Sequence, residues 1–258
     1  MAGHPRVGNN QAMDWTSNCV AVVPCLNEAA FIGEVVAGVR RHLPTVLVVD
    51  DGSVDGTDQA ARKAGAEVVR HPNWQGKGAA IQSGCTWARD RAFEWVILLD
   101  GDGQHDPGDI PAFFDCAKRE RAQLVVGNRM EGAEAMPFIR RWVNRWMSAR
   151  LSRWAGQAWP DTQCGFRLIQ LDTWTTLPIH ATHFEIESEM LLAFAAAGAR
   201  IAFVPIRVIY HVERSKIRPW RDTVRWMRWW RGVKRAGVPR GRPTASAALQ
   251  PPGVEKRK

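Results

Sequence analysis

The 258-residue sequence contains no stretch approaching the ~20 consecutive uncharged apolar residues that a bilayer-spanning helix needs. Its first residues, MAGHPRVGNNQAMD, have no apolar centre, so they do not read as a secretory signal. The five cysteines (Cys19, Cys25, Cys85, Cys116, Cys164) show neither C-x-x-C spacing nor neighbouring His pairs. That argues against a zinc site and a disulfide framework, and it suits a reducing cytosol. No G-x-G-x-x-G follows the first strand-like run, which argues against a nicotinamide-binding domain. The loop there, VPCLNEA, also lacks the Gly-rich, Arg/Lys-bearing character of a nucleotidyltransferase phosphate loop.

What is present is a globular composition, 45% hydrophobic and 24% charged, enough to bury one large core. The net charge of +9 is unevenly placed. From Arg214 to Lys258 there are 14 Lys or Arg against two acids, Asp222 and Glu255, whereas the preceding 213 residues carry 21 basic and 24 acidic groups. The C-terminal end alone therefore asks for an anionic partner. Residues 1–16 are polar and Gly/Asn-rich, and residues 237–258 are Pro-rich and basic; both are expected to be flexible tails. Between them we expect a catalytic core over residues 17–215 and a basic, Trp-rich amphipathic helix over residues 216–236.

Short apolar runs recur at residues 19–23, 46–50, 66–70, 95–100 and 124–128. Stretches with helical spacing follow them, from Glu28 to His42, Asp55 to Ala64, Lys77 to Phe93 and Asp109 to Arg119. Strands that alternate with helices in this way predict an α/β fold, a mostly parallel sheet with helices on both faces. Ligands of such sheets bind beyond the carboxyl ends of the strands. Asn27 and Glu28, Asp50 and Asp51, and Asp100 and Asp102 all fall there. Acids and amides are costly to gather unless a cation or hydrogen-bond donors sit among them.

In LLDGDGQHDP (98–107), two carboxylates lie two residues apart beyond an apolar strand, and Gln104 offers a third oxygen. Hard oxygen donors of this kind suit Mg²⁺ or Mn²⁺ shared with substrate phosphates, although alone the segment reads equally as a polar turn. Lys77, between two glycines at a helix start, is placed to hold a diphosphate or simply to open a helix.

VPCLNEA (23–29), VVDDGSVDGT (48–57), GKGAAIQSG (76–84), DGDGQH (100–105) and DTQCGFR (161–167) occur in an order and spacing that resemble family 2 glycosyltransferases of the GT-A fold. The pattern, over roughly residues 18–235, is most like the dolichyl-phosphate mannosyltransferase-like and polyprenyl-phosphate glycosyltransferase-like members. The resemblance implies that Pro24, Leu26, Asn27 and Glu28 meet the nucleotide, Leu26 standing where the family often has an aromatic. It implies that Asp50 and Asp51 face the base, ribose and metal region, that Lys77 serves the diphosphate, and that Asp100, Asp102 and Gln104 hold the metal. Arg129 is expected near the phosphates, and Asp161 and Arg167 on the acceptor side. Asp102, Arg129 and Asp161 are the expected catalytic residues.

Arg214, Ser215 and Lys216, in a segment similar to the basic one after the last core strand of these enzymes, form a candidate clamp for a lipid phosphate or, alternatively, a solvated cationic face. The implied reaction is inverting, from a GDP-mannose or UDP-hexose type donor to a polyprenyl or dolichyl phosphate. A hydroxyl acceptor would instead need a base, for which Asp102, Asp161 and Glu185 are candidates. No Q-x-x-R-W motif of a processive polysaccharide synthase appears. Acidic strand ends argue against nucleic acid as a partner.

Eight of the thirteen tryptophans lie in two basic stretches, Trp142, Trp146, Trp154 and Trp159 in one and Trp220, Trp226, Trp229 and Trp230 in the other. No acid occurs from Met136 to Pro160. Helices of this kind suit the lipid headgroup layer, or else pack on the core with solvated arginines. The expectation is a peripheral protein on the cytoplasmic face of a membrane, bound directly or through a membrane-embedded partner subunit.

Overall fold

The structure, a computed structural model, describes residues 14–131, 136–209 and 219–235. The five apolar runs become β1 (Cys19–Cys25), β2 (Val46–Asp50), β3 (Glu67–Arg70), β4 (Trp95–Leu98) and β5 (Leu124–Asn128). Two strands absent from the sequence pattern join them, β6 (Arg167–Gln170) and β7 (Ile201–Pro205). Among the described residues these form one sheet in the order β3-β2-β1-β4-β6-β5-β7. β6 runs antiparallel between β4 and β5, with Val96 opposite Ile169 and Val125 opposite Leu168, and the other pairings are parallel. Every residue of β1, β2, β4 and β5 is buried, which is why these strands read as continuous apolar runs rather than alternating ones.

The covering helices are α1 (Trp15–Asn18), α2 (Ile32–Val39), α3 (Thr57–Lys63), α4 (Lys77–Asp90), α5 (Ile110–Glu120), α6 (Phe138–Ala155), α7 (Leu171–Trp174), α8 (Ile186–Ala196) and α9 (Pro219–Arg235). Helix α2 starts later than its periodicity suggests, because the Glu28 carbonyl first closes a turn onto the Phe31 and Ile32 amides. The described residues begin at Asp14, inside the segment expected to be a flexible tail. Asp14 accepts from the Thr16 amide, and the buried Trp15 stacks on Phe114 with ring centroids 4.4 Å apart. Residues 1–13 and 236–258, which make up most of the two expected tails, lie outside the described residues.

Of the two readings left open for α6 and α9, much of their aromatic surface follows the second, packing on the core. Trp226 and Trp230 of α9 are buried, and the Trp226 indole N–H donates to Ser188 Oγ of α8 at 2.9 Å. Trp226 meets Trp146 of α6 at 5.8 Å, and Trp230 meets Trp154 edge-on at 5.5 Å. The aromatic side of α9 is therefore an internal seam. Met147 is buried, and Val143, Trp146 and Trp154 of α6 are packed against the core. Of its large apolar side chains, Phe138, Ile139 and Trp142 in the first turns are left exposed.

Candidate active site

At the carboxyl edge of the sheet the first two loops are tied together. Asn27, with φ of 53°, accepts from the Val54 amide, while its own amide donates to Ser53 Oγ at 2.8 Å. The Glu28 amide donates to Thr57 Oγ1 and the Ala29 amide to Asp55. Pro24 lies within β1 opposite Val49, and Leu26 is half-buried just beyond it.

The acidic pair that ends β2 points inward. Asp50 Oδ1 accepts from the Ser53 amide at 2.9 Å. Asp50 Oδ2 is buried without a hydrogen bond; Arg70 Nε stands 3.6 Å away, an electrostatic neighbour too distant to bond. Asp51 accepts from the Gln75 amide at 2.9 Å and the Gly76 amide at 2.7 Å, and meets His71 Nδ1 at 2.7 Å; His71 Nε2 in turn meets Ser83 Oγ. The buried Asp51 carboxylate, expected to face the base, ribose and metal region, clamps the loop that presents Lys77.

The loop can be clamped so closely because Gly76 takes φ of 106° and a Cβ there would meet the Thr182 carbonyl. Lys77 opens α4. Its ammonium lies 2.7 Å from Asp100 Oδ1 and 2.8 Å from Glu187 Oε1, with the Phe184 ring 5.7 Å away. Burial opposes its charge, but Asp100 and Glu187 outweigh that and hold Lys77 above the ordinary ammonium value. Burial likewise opposes ionisation of Asp100, yet Lys77, and after it His105, keeps that carboxyl below the usual range. Gly165 of the DTQCGFR segment packs directly on this pair, since a Cβ would fall 2.7 Å from Asp100 Oδ2 and 2.9 Å from Lys77 Nζ.

Asp102 accepts from the Gln104 amide at 3.1 Å, and the Gln104 carbonyl accepts from the Ile209 amide at 2.9 Å. The chain that leads on to Arg214, Ser215 and Lys216 therefore leaves from beside the acidic loop; those three residues themselves lie outside the described residues.

Arg129, just past β5, forms a two-pronged pair with Asp161, from Nε at 2.7 Å and Nη2 at 2.9 Å. Asn144 of α6 donates to the same carboxylate at 2.9 Å, and the Gln163 amide at 3.1 Å. Burial opposes the Asp161 charge, but Arg129 and Asn144 hold its pKa below normal. Arg129 and Asp100 also feel each other's charge. Asp161 is thus fully buried and positions Arg129; it is not open to act as a base.

The Arg167 side chain, expected on the acceptor side, is fully buried and donates to the carbonyls of Cys164, Glu187 and Thr162 at 2.7, 2.6 and 3.0 Å, so it braces the segment behind the site. Glu185 is buried and lies 3.7 Å from Arg225 of α9. The acid of that segment which reaches the site is Glu187, and sequence inspection passes it over. Glu185, Glu187 and Glu189 alternate in the sequence, and only the loop geometry separates them: Glu189 caps the His180 and Ala181 amides. His71 and Asn144 are missed for the same reason, since each is a lone polar residue whose partner is distant in sequence.

Among the described residues no three or more His, Cys, Asp or Glu side chains gather into a closed metal cage. Asp100, Asp102 and Gln104 instead fit an open set of hard oxygens that phosphate oxygens would complete. A cation already stands against Asp100 in the form of Lys77. Asp100, Asp102 and Glu187 outnumber Lys77, so the loop still favours added positive charge.

Residues 20–174 match the family described as Glycosyl transferase family 2. The chain is 27% identical over 209 residues to an undecaprenyl-phosphate mannosyltransferase of Micrococcus luteus, covering 74% of this chain and 83% of that one. It is 26% identical over 212 residues to a UDP-N-acetylglucosamine-dolichyl-phosphate N-acetylglucosaminyltransferase of Methanococcus voltae, covering 73% and 84%. In three dimensions it is similar to the Mycobacterium tuberculosis glucosyl-3-phosphoglycerate synthase solved with Mn²⁺, UDP-glucose and phosphoglyceric acid. That match has a TM-score of 0.68 and 25% identity, and it covers 86% of this chain and 80% of the other. With a GT-A-like sheet and the family match over most of that sheet, the chain belongs to glycosyltransferase family 2 and is a glycosyltransferase.

Proposed function

We propose that this glycosyltransferase moves a hexose, with inversion, from a nucleoside-diphosphate sugar to the phosphate of a polyprenyl- or dolichyl-type lipid, in the presence of Mg²⁺ or Mn²⁺. The observation that carries the proposal is the pairing of two oppositely charged stations at one sheet edge. The acidic loop of Asp100 and Asp102 adjoins Lys77, and Arg129 stands near enough to influence Asp100 electrostatically. Asp100, Asp102 and Gln104 would hold the divalent ion, whose chemistry is to neutralise the departing diphosphate as a Lewis acid. Lys77 is placed to move from Asp100 to a diphosphate oxygen, and Glu187 keeps it in reach. Arg129, held rigid by Asp161 and Asn144, orients an anionic acceptor and screens its repulsion from the donor phosphates.

The state of the candidate bases favours a phosphate over a hydroxyl acceptor. Asp161 is bound to Arg129, Glu185 lies against Arg225, and Asp102 sits in the acidic loop. An acceptor phosphate is already ionised near neutral pH and needs no base. The relatives named for undecaprenyl-phosphate and dolichyl-phosphate acceptors support the same class. We place the protein peripherally on the cytoplasmic face of a membrane, where it would meet such an acceptor; among the described residues no helix is long and apolar enough to cross a membrane. Incubation with membranes, Mn²⁺ and radiolabelled nucleotide sugars should give a labelled lipid extractable into organic solvent. Label confined to free sugar or polysaccharide would defeat the proposal.

A further inference from the structure

Helix α6 presents two unlike faces. Inward, Asn144 and Ser148 join the polar network of Asp161 and Thr162 behind Arg129. Outward, its first turns expose Phe138 at 70%, Ile139 at 72% and Trp142 at 59%, three large apolar side chains together on one surface. Arg141 lies over the Phe138 ring at 5.9 Å, and Arg145 and Arg153 are exposed further along. Beside α6, helix α9 exposes Arg228, Arg231, Lys234 and Arg235. No acid interrupts the sequence from Met136 to Pro160.

The geometry points to the first turns of α6, Phe138, Ile139 and Trp142, as the element that inserts into the headgroup layer of an anionic lipid membrane, with the arginines of α6 and α9 resting on the lipid phosphates. Charge decides the occupant. An apolar tip that carries Arg141 and leads into a stretch of exposed cations without an acid complements an anionic bilayer, whereas a second copy of the chain would set like charge against like. Trp226 and Trp230 of α9 are not the anchor, since they are spent on the seam with α6 and α8.

The inference extends the lipid-phosphate reading. Phe138 and Asn144 are six residues apart, ~9 Å along the helix axis, so the tip that meets the membrane belongs to the same rigid rod that braces Arg129. A lipid phosphate lying in the headgroup layer is then presented close to the arginine, and the prenyl chain can stay in the bilayer.

The test uses the full chain with vesicles of phosphatidylcholine, alone or containing one part in three of phosphatidylglycerol. Wild-type protein should co-sediment with the anionic vesicles. A variant carrying Phe138→Ser, Ile139→Ser and Trp142→Ser should bind them about a hundredfold more weakly, with its melting temperature unchanged because exposed side chains are replaced. Arg141→Glu with Arg145→Glu should abolish the preference for phosphatidylglycerol. Equal binding by wild type and the serine variant would overturn the inference. So would a wild-type dimer in sedimentation velocity that the serine variant disperses, since the tip would then belong to a second copy. If the serine variant loses vesicle binding while wild-type protein glycosylates no prenyl phosphate, the docking surface stands and the acceptor assignment falls.

Discussion

Individual residues at the site divide into those that face a ligand and those that hold them. Asp102 is half-exposed on the acidic loop and accepts from the nearby Gln104 amide, so Asp102→Asn should melt as wild type does while sugar transfer is lost. Transfer by that variant would remove the metal assignment. Glu187→Gln removes one of the two carboxylates that compensate Lys77 and should raise the KM for the nucleotide sugar about tenfold with kcat less affected, which steady-state kinetics can separate. Asp161→Asn leaves the Arg129 guanidinium buried against a neutral group and should cost about 3–5 kcal/mol in urea unfolding. The pH dependence has a definite sign. Asp161 is held below its ordinary 3.8, so its contribution is complete above about pH 5 and is lost as pH falls through 3.8 toward the lower folded value. Wild-type stability should therefore decline in that acid window, and the asparagine variant should decline less steeply.

Among the elements, α9 shows how two readings of one pattern are separated. Its spacing of tryptophan and arginine announces an amphipathic helix, and the helix is there. What the apolar face meets is a tertiary fact, set by Trp146, Trp154 and Ser188, which lie 38 or more residues away along the chain. Trp226→Ala should accordingly destabilise the whole fold by about 3–5 kcal/mol in denaturant, far more than the loss of a surface residue would. Strands β1, β2, β4 and β5 were legible because burial on both faces makes their sequences continuously apolar. β6 was not. It has four residues, opens with a buried arginine and closes with a glutamine, and is strand-like only because its neighbours on both sides supply the pairing. The acidic and GKG loops were legible from their glycines and carboxylates, whereas Glu187 and His71 enter the site only through the packing of residues 180–185 and of β3 against it.

At the scale of the whole molecule, the net charge of +9 makes vesicle binding a salt-sensitive equilibrium. Raising NaCl from 0.1 to 1 M shortens the screening length from ~10 to ~3 Å, so co-sedimentation should fall steeply and then level off at the contribution of the apolar tip. A titration that showed no salt dependence would contradict the role given to the arginines. The antiparallel insertion of β6 also bears on how the protein is made. β3, β2, β1 and β4 can close against one another once residue 98 has left the ribosome, but β5 has no partner in the sheet until β6 or β7 emerges. A nascent chain of which about 150 residues have emerged from the ribosome would thus carry a protease-resistant half with Asp50 and Asp51 in place and an unpaired strand ending at Asn128. Arg129 would wait, unanchored, for Asp161 and the strand that follows it.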